Sequence, residues 1–275
     1  YNSPNDKRGG IVKFKNVLLA SDFDGTLADC NGKIPESVIS AIKYFMSEGG
    51  RFTVCTGRIF QGFHLYSEEY INAPVLLGNG AMAYDYKNKE IVFNDAIGDE
   101  GIASLEDIIF HFPSVAVETY SFNKVCSINA GENSIHHFTS MGIDFTEVES
   151  PEKAQIPWTK VMIYAHGCSL EVQKLLDRHA EVNYLKTTGE YIEILKRGVD
   201  KGTGLLKLGE MLGCEPCDIY AAGDGYNDVD MLRAAAKGFV PENGSQEALA
   251  VADYVTRTNN DGCIAHAIEI LDKLY

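Results

Sequence analysis

Short apolar runs that stop abruptly at glycine, alternating with amphipathic stretches, set the pattern of this chain. Val17, Leu18, Leu19 and Ala20 lead through Ser21 into two acids one residue apart, Asp22 and Asp24, before Gly25 and Thr26 turn the chain. Such a run, bounded by a turn, reads as a buried strand of a parallel sheet covered by helices. Val38, Ile39, Ile42, Phe45 and Met46 recur at helical spacing between Pro35, suited to a helix start, and Gly49–Gly50, suited to its stop. A second strand, Arg51–Cys55, ends in Thr56-Gly57-Arg58, and a third, Val75–Leu77, closes in Gly78-Asn79-Gly80.

From about Ala81 to Lys186 the character changes to strand runs joined by hairpin signals, with helices expected near Glu100–Phe112, Glu132–Met141 and Ser169–His179. That mixture suggests an α+β module inserted into the first fold. The βα alternation then resumes, with a strand at Tyr191–Leu195, the helix Gly202–Leu212 and a strand at Asp218–Ala222 that runs into Gly223-Asp224-Gly225-Tyr226-Asn227-Asp228. Two further βα units over Gly238–Leu274 close the chain.

Polar groups gather where the strands end. Carboxylates collected at an apolar edge are costly unless a cation or chemistry repays their desolvation. Asp22 and Asp24 therefore read as a hard-metal site with a carboxylate nucleophile, or else as a solvated turn. Thr56 reads as a phosphate holder or as a helix N-cap. Lys201, at a helix start against the dipole, faces an anion or is a solvated lysine; in the anion-facing role its loss is expected to cost turnover but little stability. Asp224 and Asp228 repeat the acidic loop after a second apolar strand. In a parallel sheet these ends share one edge, so the groups converge into a site for Mg²⁺ and a phosphoryl group.

Composition narrows the partners. The 275 residues suffice for one large core, or for a core and a smaller domain. Asp and Glu outnumber Lys and Arg by 39 to 24, a formal charge of −15 that disfavours nucleic acid and anionic membranes. No apolar stretch approaches the ~18 residues of a spanning helix, and the polar start, YNSPNDKRGG, has no signal-peptide core. Seven scattered Cys point to reduced thiols and a cytoplasmic home, and the lone CxxC of Cys214 and Cys217 has no second pair to complete a metal site.

In this order, DFDGT, TGR, DKG and GDGYND resemble the four motifs of the haloacid dehalogenase-like phosphatases, and the long insertion resembles the cap of their Cof-type members. The fold this implies is α/β: a Rossmann-like parallel-sheet core of residues 14–80 and 188–275 with an inserted α+β cap of residues 81–187, after a disordered or tag-like tail of residues 1–13. The resemblance implies that Asp22 attacks phosphorus and that Asp24 serves as general acid and then base. It assigns Mg²⁺ to Asp22, the Asp24 backbone carbonyl and Asp224, with Asp228 in support. Thr56, Gly57, Lys201 and Asn227 would hold the phosphoryl oxygens, and Arg58 and Asn79 would reach the substrate. The chain departs from the family near Gly238–Gly244, where Pro241 and Glu242 replace small residues and Asn243 takes the expected Asn place.

The activity so implied is a phosphatase for small phosphorylated metabolites, sugar phosphates first, acting as a monomer or weak homo-oligomer. A sugar phosphomutase shares such loops and caps, but GDGYND has the phosphatase form. A receiver-type signalling domain also uses Asp, Thr, Lys and Mg²⁺, yet it has no such insertion. Glu118, Asn123, Lys124 and His136 are the insertion's candidates for reaching substrate hydroxyls.

Overall fold

A computed structural model describes residues 12–186 and 190–275. The expected tail therefore lies, up to residue 11, outside the described residues, as does the return of the insertion at Gly189.

The first apolar run is strand β1 (Leu18–Ser21), buried throughout and flanked by parallel partners on both sides. Helix α1 (Glu36–Ser47) and strand β2 (Arg51–Val54) follow, and β3 (Val75–Leu77) touches the sheet edge through one parallel bridge between Cys55 and Leu76. β4 (Met82–Asp85) and β5 (Glu90–Asn94) complete an antiparallel three-stranded sheet with β3. This hairpin was expected in the insertion. It packs instead on the first body, because Met82 and Tyr84 join one of that body's apolar clusters and Ala83 and Phe93 the other.

A second body follows, with α2 (Glu100–His111), β6 (Ala116–Tyr120), β7 (Val125–Ile128), α3 (Glu132–Met141), β8 (Thr146–Glu147), β9 (Lys160–Tyr164), α4 (Ser169–Leu176), β10 (Val182–Lys186) and β11 (Tyr191–Lys196). Its six strands run in the order β10-β11-β9-β6-β7-β8, antiparallel except for the last pair. Trp158 is buried at the centre of the cluster between this sheet, α2 and α4. The strand at Tyr191–Leu195 was expected in the parallel core, but it is β11, paired antiparallel with β10 and β9. A short apolar run fits either kind of sheet, and a partner just upstream in sequence makes a hairpin the shorter closure.

The chain then returns to the first body through α5 (Lys201–Met211), β12 (Ile219–Ala222), α6 (Val229–Ala234), β13 (Lys237–Pro241), α7 (Gln246–Leu249), β14 (Tyr254–Thr256) and α8 (Cys263–Leu274). The parallel sheet has the order β14-β13-β12-β1-β2. Leu19 faces the cluster that holds Ile42 and Ile268 of α1 and α8, while Leu18 and Ala20 face that of Leu205 and Met231 of α5 and α6. Helices on both faces explain why the central strands β1 and β12 are buried along their whole length. Ile59, from the segment after β2, is buried among Tyr120, Val125, Phe138 and Met162 of the second body, so the two bodies meet directly above the strand ends.

Candidate active site

Asp22 follows β1 and is only 7% exposed. The turn after it needs glycine: Gly25 has φ +82°, and a Cβ there would lie 2.5 Å from an Asp224 carboxylate oxygen. Thr26 closes the turn by donating its hydroxyl to Asp224 Oδ1 at 2.6 Å. Asn243 braces it from the far side, donating to the Gly25 carbonyl at 3.0 Å, so the departing Gly238–Gly244 loop keeps an Asn at the turn. The Asp24 side chain points outward and is 59% exposed. Arg58 grips both its oxygens, Nε to Oδ2 at 2.9 Å and Nη2 to Oδ1 at 2.7 Å, with its guanidinium over the Phe23 ring.

Lys201 is not the solvated lysine that one reading allowed. It opens α5, is 0% exposed, and donates to Asp22 Oδ1 at 2.5 Å and Asp228 Oδ1 at 2.6 Å. The capping box of Asp200 and Thr203 satisfies the helix start. Gly204 lets α5 press against the loop at Gly80, since a Cβ there would lie 2.6 Å from the Gly80 carbonyl oxygen. Asp228 Oδ2 accepts the N–H groups of Asp224 and Gly225 at 2.9 and 2.8 Å, so both Asp228 oxygens are engaged. Asp22, Asp224 and Asp228 each bring one oxygen within 4.8 Å of the others.

Lys201 thus pairs directly with two of these carboxyl groups, Asp22 and Asp228. Burial pushes the Asp22 carboxyl up to about 8, against the pull of Lys201 and helped by Asp228 and Asp224. Burial likewise raises Asp224, opposed by the hydroxyl of Thr26. For Lys201, burial works against the charge, but Asp22 and Asp228 outweigh it and hold the ammonium above its usual range.

The remaining residues expected at the site arrive from neighbouring strand ends. Thr56 is buried after β2, where its oxygen accepts the Arg58 N–H at 3.1 Å, so the local-turn role is real and the hydroxyl hydrogen remains to be donated. Asn79, at φ 54°, has its amide engaged twice, donating to Glu193 and accepting from Asn227 Nδ2 at 3.0 Å. It orients Asn227 and is tied to the second body. Gly57 is tied too, as its carbonyl accepts from Lys160 Nζ at 2.9 Å, and Lys160 also meets Glu193 Oε2 at 3.2 Å.

Together these groups line a cavity of about 620 Å³, with Asp22, Asp24, Thr56 and Asn227 below and Tyr120, His137, Lys160, Met162 and Glu193 above. The sequence reading missed Thr26 and every one of these roof residues. Of the insertion residues it singled out, Asn123 and Lys124 line a separate cleft beside Gln61, His136 is exposed, and Glu118 is wholly buried behind His137. The available signal was a charged residue in a mostly apolar strand: Glu118 in AVETY, Lys160 at the head of KVMIY and Glu193 in YIEILK.

The sequence profile of the haloacid dehalogenase-like hydrolases matches residues 19–268. YxeH of Bacillus subtilis, which carries a phosphatase name, is 27% identical over 268 residues, covering 92% of this chain and 97% of that protein. The 5-amino-6-(5-phospho-D-ribitylamino)uracil phosphatase YwtE of the same organism is 25% identical over 284 residues, covering 92% and 97%. Among solved structures, the phosphatase BT1666 of Bacteroides thetaiotaomicron has a TM-score of 0.82 at 22% identity, covering 98% of this chain and 99% of its own. BT4131, a HAD subclass IIB sugar phosphatase, has a TM-score of 0.80 at 21% identity, covering 93% and 99%. At that identity the likeness to the solved structures is one of fold.

Proposed function

The chain belongs to the haloacid dehalogenase-like hydrolases, as an enzyme of their phosphatase kind, and on that premise we propose that it releases phosphate from small metabolites, sugar and polyol phosphates foremost, with Mg²⁺ and through an aspartyl-phosphate. The observation that carries this reading is the buried cluster of Asp22, Lys201, Asp224 and Asp228 beneath a roofed cavity.

The donor set suits a hard cation. Asp22 and Asp224 offer converging oxygens, with the Asp24 backbone carbonyl as a further donor, while Asp228 is held by Lys201 and two backbone N–H groups as a support behind them. Mg²⁺ bound there supplies charge that offsets the carboxylates and polarises the phosphoryl oxygens. An Asp22 oxygen attacks phosphorus in line, the bond from phosphorus to the alcohol oxygen breaks, and Asp24 supplies that oxygen's proton. Water then attacks phosphorus and gives its proton to Asp24, so that inorganic phosphate leaves and Asp22 returns as a carboxylate. Asp24 takes up this role by exchanging Arg58 for the leaving oxygen. Thr56, the Gly57 N–H, Lys201 and Asn227 hold the phosphoryl oxygens and spread their charge. Asn79, with both amide atoms engaged, acts by orienting Asn227.

We assign the cap to residues 97–197, so that the chain crosses over after the β4–β5 hairpin and returns after β11. A roofed cavity of about 620 Å³ suits a metabolite better than a folded phosphoprotein. The names of YwtE and BT4131 both describe phosphates of polyhydroxylated carbon chains, which supports the same substrate class. Seven unpaired cysteines support a reducing, cytoplasmic setting. The test is phosphate release from hexose and pentose phosphates and from a phosphopeptide, each with Mg²⁺ and with EDTA. Metal-dependent turnover of the small esters is expected, and efficient phosphopeptide hydrolysis, or full activity in EDTA, would overturn the reading.

A further inference from the structure

Glu118 is a buried acid that the chemistry above leaves without a task. It sits in the middle of β6 at 0% exposure, in a strand otherwise made of Ala, Val, Thr and Tyr. Its Oε2 accepts the Tyr120 hydroxyl at 2.5 Å and faces His137 Nδ1 at 2.8 Å, while its Oε1 has no hydrogen-bond partner among the described residues. A carboxyl withdrawn from water is costly, and the ring nitrogen that meets it is His137 Nδ1. Nδ1 therefore carries a hydrogen toward Glu118, which fixes the ring's orientation. His137 itself is half-buried, packs its ring against Tyr191, and lines the cavity that contains Asp22 and Thr56. Nε2 is left as the polar ring atom available to a ligand.

We propose that His137, held by Glu118 and Tyr120, is the specificity-determining residue for the alcohol half of the substrate, and that its Nε2 pairs with a hydroxyl there. The inference rests on the phosphatase reading and deepens it. A hydroxyl both donates and accepts, so it suits Nε2 and the neighbouring Lys160–Glu193 pair, which presents a donor beside an acceptor. A second anionic group is a poorer fit, since it would meet Glu193 and Asp24 along with the cations. Glu118 is a positioning residue, acting through His137.

The experiment compares esters matched in length and differing in hydroxyls: D-ribitol 5-phosphate against pentyl phosphate, and D-glucitol 6-phosphate against hexyl phosphate. Wild type, His137→Ala, His137→Gln and Glu118→Gln are assayed as full chains with Mg²⁺. Wild type is expected to prefer the polyol ester in at least one pair. His137→Ala should cut that preference about tenfold through KM, as loss of one well-placed hydrogen bond does, and leave kcat/KM for the alkyl ester within about twofold. His137→Gln keeps a polar group at the position and should retain part of the preference, and Glu118→Gln should lose part of it. No wild-type preference, an unchanged preference in His137→Ala, or an equal loss on both esters would overturn the proposal, with alkyl ester turnover reporting an intact site. If wild type hydrolyses no ester of either pair, the sugar- and polyol-phosphate reading fails and takes this inference with it.

Discussion

Replacing Lys201 by Met removes the ammonium that pairs with the buried carboxyl groups of Asp22 and Asp228. The lysine donates at 2.5 Å to Asp22 and 2.6 Å to Asp228 and is fully buried, so no water can take its place without rearrangement. Removing one partner of a buried ion pair typically costs about 3–5 kcal/mol, because the other charge is left uncompensated. For a chain of this size, each kcal/mol lowers the melting temperature by about 2–4 °C, so a drop of about 6–20 °C is expected in EDTA. That departs from the sequence-based expectation of lost turnover with little lost stability, which counted only the helix dipole. Mg²⁺ supplies the missing charge, so saturating Mg²⁺ should raise the melting temperature more in Lys201→Met than in wild type. Turnover should still fall by about 10²–10³, the usual effect of losing a preorganised charge on the developing transition state. The assay is a pair of thermal melts, in EDTA and in Mg²⁺, with kcat measured at a temperature where both proteins are folded. An EDTA melting temperature within about 2 °C of wild type would refute the argument that Lys201 neutralises the cluster.

Other expectations follow from the same geometry. Burial lifts the Asp22 carboxyl from an ordinary 3.8 to about 8. Across that window the folded chain holds a proton that the unfolded chain has lost, so metal-free stability should fall as pH rises through it. Mg²⁺ takes the deprotonated form, so melts from pH 5 to 8 should flatten when it is added, and a flat profile in EDTA would count against the shift. Lys160→Met should strand buried Glu193 and cost about 3 kcal/mol, whereas the double change Lys160→Met with Glu193→Met should regain most of that loss, as thermal melts can check. Arg58→Ala breaks a pair whose members are 38% and 59% exposed, so its stability cost should stay below about 1 kcal/mol while kcat/KM falls. Equal losses in melting temperature and turnover would make Arg58 a structural residue.

The legible part of the fold was the part written in local pattern. Buried strands such as Leu18–Ser21 and Ile219–Ala222 are continuous apolar runs, and the acids that follow them are conspicuous because an apolar edge is a costly place for charge. The partner of a strand is written less plainly. Tyr191–Lys196 reads as one more short strand, and its antiparallel pairings with Val182–Lys186 and Lys160–Tyr164 draw it into the second sheet. The roof was hidden for a different reason. His137 and Lys160 lie far from the motifs in sequence, and they reach the cavity through Glu118 and Gly57, contacts that no spacing rule encodes. His136 and His137 illustrate the limit: one helical position separates an exposed side chain from one that lines the cavity.

On the proposed mechanism, Asp22 becomes phosphorylated in every turnover. Asp24→Asn should still form the aspartyl-phosphate but hydrolyse it slowly, because the group that activates water is gone. Rapid acid quench of Asp24→Asn with Mg²⁺ and the best small ester, followed by mass spectrometry of the peptide containing Phe14–Leu27, measures this directly. One phosphoryl group is expected on Asp22, absent in EDTA and absent when Asp22 is also changed to Asn. Phosphate release in wild type with no phosphorylated Asp22 peptide at any quench time, or undiminished turnover in Asp22→Asn, would contradict it.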